Sequence, residues 1–192
     1  MTKTLFDFCT LAEGTRDTDT IRVTARARFG NTDDPERRME ERLLRDSEYT
    51  LLRGGNGFDG ILRQVNVTPA RTIDETSVRN LYEDIPERYR QHAVFMMNAV
   101  TLREIYLNLG HLLTLDSSDG FRLMNVPVLL SDSMPCAGEG KVPVLFGDLS
   151  QIRIEDCGRD DLLTSTGDQC VMTGYMNCRI VDKAAISGIK II

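Results

Sequence analysis

No apolar run in this 192-residue chain approaches the roughly 20 residues that a membrane-crossing helix requires; the best uninterrupted stretch, Ala93 to Met97, has strand length. A membrane partner is therefore not expected. Histidine is scarce, with only His92 and His111, each beside apolar sequence, so a histidine-based metal site or a catalytic triad is poorly supplied. The serines Ser117, Ser165 and Ser187 all lack the Gly-x-Ser-x-Gly elbow that exposes a nucleophile, and no His-Glu-x-x-His zinc helix occurs. Cys9, Cys136, Cys157, Cys170 and Cys178 are odd in number and never form a Cys-x-x-Cys pair, which argues against a disulfide framework and a structural zinc site; reduced, buried thiols are expected. The opening MTKTLFDFCTLAEG places Asp7 where a signal peptide would be apolar, so export is not indicated and the chain is expected to be made and kept in cytosol. There is no internal repeat, low-complexity tract or Ser/Gly linker.

What is there suits one sizeable core, or one core with an appended arm. A hydrophobic fraction of 41% and a charged fraction of 27% are those of an ordinary globular protein. The net charge of −6 disfavours a free-standing nucleic-acid binder, which must neutralise phosphates with Lys and Arg.

Asp19 to Phe29 alternates as a strand, with Ile21, Val23, Ala25, Ala27 and Phe29 on one face and Arg22, Thr24, Arg26 and Arg28 on the other. The apolar face calls for burial, and the arginine face for solvent, carboxylates or phosphates. A helix then starts at Asp33 or Asp34 with Pro35 in its first turn and runs to Arg53. Its apolar stripe is thin (Met39, Leu43, Leu44, Leu51, Leu52), and Glu41 to Arg45 and Arg42 to Asp46 are i,i+4 pairs. Further on, helices are expected from Ile73 to Ile85 and after the cap Asn98, the latter carrying Leu102, Ile105, Tyr106 and Leu109 and stopped by Gly110. His92 to Met97 reads as a buried strand between them. Strands dominate the remainder: Val126 to Ser131, Val142 to Phe146, Gln151 to Glu155, Cys170 to Val181 and Ala185 to Ile192. The class is α+β, with helices concentrated before Gly110 and strands after it.

Gly55, Gly57 and Gly60 satisfy Gly-x-Gly-x-x-Gly, with Asp74 near the position of a ribose-binding acid. The context is reversed, because the glycines follow a helix and open the strand-like Ile61 to Val67, so they read as a helix stop and turn; a nucleotide-binding turn is the alternative. Gly138-Glu139-Gly140-Lys141 has Val142 where a phosphate loop needs Ser or Thr, and reads as a β-turn. In Asp116-Ser117-Ser118-Asp119-Gly120 the carboxylates are out of register for a calcium loop. No catalytic, metal or cofactor site is expected from these patterns.

The order and spacing of several short motifs resemble the tailed-phage major capsid protein family of the Hong Kong 97 type. They are Tyr89 to Asn98 (strand ending in Asn), Asp119-Gly120-Phe121 (turn), Val126-Pro127-Val128 through Met134-Pro135 (strand and loop), Phe146-Gly147-Asp148 (return strand), and Arg179, Asp182 and Ala184-Ala185 (terminal strand pair). The likeness covers Leu81 to Ile192 and extends more loosely back to Asp33.

The resemblance implies an α+β Hong Kong 97-type fold with an axial domain, a peripheral domain with a long spine helix, and an extended β-hairpin loop. The expected partition is 1–32 as extended loop, 33–68 as spine helix and peripheral elements, 69–150 as axial domain and 151–192 as return strands. It implies a non-enzymatic shell protein without cofactor, located in the virion and assembled in the host cytoplasm, forming hexamers and pentamers around double-stranded DNA held without sequence-specific binding. Scaffolding, portal or decoration proteins are further partners. Mild acidity on the inner wall would suit a packed polyanion. By the same resemblance Arg22, Arg26 and Arg28 would meet carboxylates of a neighbouring subunit, while Gly55, Gly57, Gly60, Gly147 and Asp148 are structural turn residues. The chain begins almost where the extended loop would, so the family's amino-terminal arm is expected to be shortened or absent, its role falling to a companion protein. With no Lys between Lys3 and Lys141, lysine to asparagine cross-linking through that loop has no evident donor. An encapsulin-like nanocompartment shell is the alternative with the same fold.

Overall fold

A computed structural model describes residues 3–28, 34–55, 57–116, 120–160 and 169–192. The expectations placed on Phe29, Asp33, Ser117, Ser118, Asp119 and Ser165 lie outside the described residues.

Two sheets organise the chain. The smaller has four strands in the order β1 (Thr10–Glu13), β9 (Ile152–Asp160), β10 (Gln169–Ile180) and β2 (Ile21–Arg28). β9 and β10 form an antiparallel ribbon; β2 adds antiparallel to β10, and β1 adds parallel to β9. The edges of this sheet are thus β1 and β2, both from the stretch before Pro35. The alternation read in β2 places Ile21, Val23 and Ala25 in the core and leaves Arg22 and Arg26 exposed.

Helix α1 (Pro35–Arg53) lies on the apolar face of this sheet. The Asp34 carboxylate accepts the Arg37 amide at 3.3 Å, and Pro35, which has no N–H to satisfy, stands in the first turn. Met39, Leu43, Leu51 and Leu52 are buried as the stripe demands, but Leu44 points outward at 44% exposure. Of the two expected charge pairs, Arg42 to Asp46 forms at 3.9 Å; Glu41 takes Arg37, one turn earlier, at 3.2 Å. Leu43 packs on β10 at Gly174, where a Cβ would lie 3.2 Å from a Leu43 methyl.

The chain leaves α1 through Gly54 (φ 86°) and returns so close that a Cβ on Gly60 would stand 2.2 Å from the Gly54 nitrogen. Ile61 to Val67 was expected as a strand; instead Ile61–Gln64 is one helical turn, α2, and β3 (Asn66–Ala70) follows. The burial explains the difference: Ile61, Leu62 and Val65 are inside, an i, i+1, i+4 pattern that only a helical turn can bury together.

The larger sheet has seven strands in the order β3, β11 (Ile186–Ile191), β8 (Val144–Gly147), β4 (Val94–Met97), β7 (Val126–Leu130), β6 (Gly120–Leu123) and β5 (Leu113–Asp116). Of the stretch 151–192, β9 and β10 join the smaller sheet and β11 joins this one. Helices α3 (Glu75–Asp84), the single turn α4 (Glu87–Arg90) and α5 (Ala99–Leu109) complete the body. Strand β4 explains its own lack of alternation. Val94 and Met96 enter the core shared with α1, Phe95 and Met97 enter the core beneath α3 and α5, and all four are buried. In the second core the Phe95 and Phe146 rings stack at 4.4 Å, and Tyr82 stacks on Phe146 at 5.4 Å.

Candidate contact surfaces

Among the described residues two cavities, of about 290 and 300 Å³, open to solvent. The second is lined by Thr18 to Ile21 and by Gly57, Phe58 and Asp59, so the glycine turn does border a cleft. Its charged walls are Asp19 and Asp59, which repel a phosphate. Three of the turn's amides are also committed: Gly55 N–H donates to the Phe58 carbonyl and Phe58 N–H to the Gly55 carbonyl, both at 3.0 Å, and Gly54 N–H closes α1 on Thr50. A phosphate cradle needs such amides free. Asp74, the candidate ribose acid, caps α3 by accepting the Ser77 amide at 2.7 Å. The helix stop is the reading these contacts support. Among the described residues no group of three or more His, Cys, Asp or Glu is placed to hold a metal ion.

Gly147 and Asp148 form the crossover from the larger sheet to the smaller. Gly147 has φ 147°, and a Cβ there would lie 2.1 Å from the Ala185 carbonyl oxygen. No other residue lets β8 pass so close to the start of β11. Asp148 donates its amide to that same carbonyl at 3.0 Å, and its buried carboxylate accepts the Ser150 amide at 3.0 Å, turning the chain into β9. Asp182 makes the matching turn before β11: it accepts the Ala184 amide at 2.8 Å and the Tyr89 hydroxyl, with Arg88 at 3.3 Å. Those bonds hold its carboxyl below the usual range, the tyrosine contributing most.

Two further surfaces stand out among the described residues. The first is the face of the smaller sheet opposite α1. It carries Arg22 and Arg26 from β2, Tyr175 and Arg179 from β10, Arg153, Glu155 and Asp160 from β9, and Arg16 from the loop before β2. Of the described residues just named, five are arginines and two are carboxylates, in a chain of net charge −6. Arg16 lies over the Tyr175 ring at 3.7 Å and reaches Asp160 at 3.0 Å, and the Tyr175 hydroxyl donates to Asp160 at 2.7 Å. The tyrosine bond first, then Arg16, hold the Asp160 carboxyl below its usual range, and the Arg22 charge adds to the effect. Glu155 is shared by Arg153 at 3.0 Å and Arg179 at 3.9 Å. Arg22 therefore has work within its own chain, whereas Arg26 has no ionic partner among the described residues. Of Arg28 only the backbone is described; it pairs with Gln169 at the end of β2.

The second surface was not visible in the sequence. Helix α5 buries Leu102, Ile105 and Leu109 but presents Val100, Tyr106 and Leu107 to solvent, at 52%, 61% and 69% exposure. Leu115 on the edge strand β5 is 73% exposed. Tyr106 was expected in the buried stripe; it lies one step off the arc that Leu102, Ile105 and Leu109 define. The legible signal was an α5 apolar on more than one side, since Val100 and Leu107 share the i, i+7 relation outside that arc.

Comparison with known proteins gives a consistent picture. A family model described as the phage capsid family matches residues 36–191. Among solved structures, the capsid of an empty GTA particle superposes with a TM-score of 0.68 at 14% identity, covering 97% of this chain and 89% of that one. Gordonia phage Cozz gives 0.57 at 13% identity, covering 98% and 86%. The holo-SrpI encapsulin complex from Synechococcus elongatus gives 0.63 at 9% identity, covering 97% and 86%. No curated protein matches the sequence.

Proposed function

The chain belongs to the phage capsid family, its fold is that of Hong Kong 97-type capsid structures, and from that premise we propose that it is a major capsid protein. Copies associate into hexamers and pentamers that close an icosahedral shell around double-stranded DNA, with assembly in the host cytoplasm and no bond-making step. The observation that carries this reading is the exposure of four large apolar side chains, Val100, Tyr106 and Leu107 on α5 and Leu115 on β5. Fully burying one such side chain contributes about 1.5–3 kcal/mol, an amount that association costs largely offset in a single contact. Repetition by closed symmetry turns modest contacts into a stable shell.

The open face of the smaller sheet is the complementary element. An acidic chain that concentrates arginines on one face suits copies meeting with that face against a neighbour's carboxylates, with Arg22, Arg26 and Arg28 as the contact residues. Arg26 supports this best, being exposed and without an ionic partner among the described residues.

Electron microscopy of the purified protein tests the proposal. Closed shells or capsomers are the expected outcome; monomers under all assembly conditions would refute it. The fold likeness to an encapsulin supports a second reading, a shell that holds protein cargo. Nuclease-protected DNA inside the particles is expected for the first reading and its absence for the second.

A further inference from the structure

We propose that Leu5–Glu13 is a strap fastened to α1 through Glu48, and that fastening it takes up a proton. The inference concerns the single chain and stands apart from the assembly reading.

Glu48 lies on the inner side of α1 at 8% exposure. Its Oε1 accepts the buried Leu5 amide at 3.1 Å. Leu5 itself is fully buried and opens a short 3-10 turn that Asp7 closes by accepting the Thr4 amide. From the other side the Ser131 and Ser133 side chains lie close enough to the same carboxylate to favour its charged form. That loop is held in turn: the Ser131 Oγ accepts the Ser133 amide at 3.1 Å, and Arg53 Nε donates to the Ser133 carbonyl at 2.7 Å. Three distant pieces of chain, the strap, the long helix and the loop after β7, therefore converge on one carboxyl group.

The groups facing Glu48 make that carboxyl hard to ionise. Asp132 on the loop is of like charge, and Cys9 on the strap is near enough to both Glu48 and Cys178 of β10 for their charges to raise its thiol. Burial pushes the Cys178 thiol up to about 12 and the Cys9 thiol further, so both stay neutral near physiological pH. No lysine or arginine pairs with Glu48 among the described residues. Burial outweighs the hydrogen bonds and raises the carboxyl above its ordinary value of 4.5.

The direction of the linkage follows. Undocking the strap admits water to Glu48 and lets its pKa fall toward the ordinary value, so the docked form binds the proton more tightly. Docking is favoured most below pH 4.5 and loses that support as pH rises through the docked-state value. Protonated Glu48 can keep the Leu5 amide on its carbonyl oxygen and give its O–H to a serine oxygen. Ionised Glu48 is a desolvated charge beside Asp132. Besides that anchor the strap is held by Leu5, Phe6, Phe8 and Cys9 against the core and by β1, four residues at a sheet edge paired parallel with β9.

Hydrogen exchange on the full chain tests this, with each amide's rate divided by its intrinsic rate at the same pH. Protection of the Leu5 amide and the β1 amides is expected to fall by about threefold or more between pH 5 and pH 8. Glu48→Gln keeps an acceptor and a donor without charge, and is expected to hold the strap equally at both pH values. Asp132→Asn is expected to retain the pH dependence with a smaller amplitude. Equal wild-type protection at both pH values overturns the proposal, as does wild-type pH dependence surviving in Glu48→Gln or vanishing in Asp132→Asn.

Discussion

A single hydrogen atom decides what can stand at position 147. The backbone there is in the left-handed half of conformational space, and a methyl group would overlap the Ala185 carbonyl at 2.1 Å. Gly147→Ala must then part β8 from β11 at the crossover between the sheets, and is expected to cost about 3 kcal/mol or more. A urea midpoint close to wild type would show that the crossover can shift and that the close approach is not required. Sequence alone marked Phe146-Gly147-Asp148 as a turn worth naming, and Asp148 as its companion. It could not show that the constraint comes from Ala185, 38 positions further on, because a close approach between distant segments leaves no periodic trace. Glu48 was hidden for the same reason: within a helix so rich in charge, one buried carboxylate looks like all the others.

At the scale of elements, what could be read depended on whether an element's burial repeats with its own geometry. Strand β2 and helix α1 each bury one face, and their alternation and stripe located them to within a few residues. Leu44 misled because it adjoins Leu43 in sequence but lies about 100° away around the helix, beyond the edge of the sheet below. Leu51→Ala, at a fully buried position, is expected to cost about 2–5 kcal/mol. Leu44→Ala should stay within about 0.5 kcal/mol. Paired denaturation curves check both, and a comparable loss at Leu44 would mean that the outer side of α1 is covered in the folded molecule. Strand β1 was illegible for a different reason: its residues are mostly exposed, and what fixes it is parallel pairing with β9, with Leu11 opposite Ile154. Strands β5 and β6 are short, four residues each, and half-exposed, so neither shows a clean alternation.

For the whole molecule, the question is which exposed groups exist for the sake of another copy. Leu107 is the sharpest case, since its removal should cost the isolated chain almost nothing and the assembly a great deal. Leu107→Glu adds a charge at a 69% exposed position, so chain stability is expected to remain within about 0.5 kcal/mol of wild type. At a copy-to-copy contact the same carboxylate would be buried without a partner. Each 1.4 kcal/mol lost there lowers that contact's association constant about tenfold, and the loss recurs at every equivalent contact in the shell. Light scattering should then find monomers or isolated capsomers at concentrations where the wild type forms shells. Arg26→Glu probes the other surface by a different signature. It should weaken assembly while leaving thermal stability unchanged, and 0.5 M salt should narrow its difference from wild type, because screening at that ionic strength confines charge interactions to within about 5 Å. Shells that form normally from both variants would place α5 and the arginine face on free surface, and the contacts between copies would have to be sought at the edges of the two sheets.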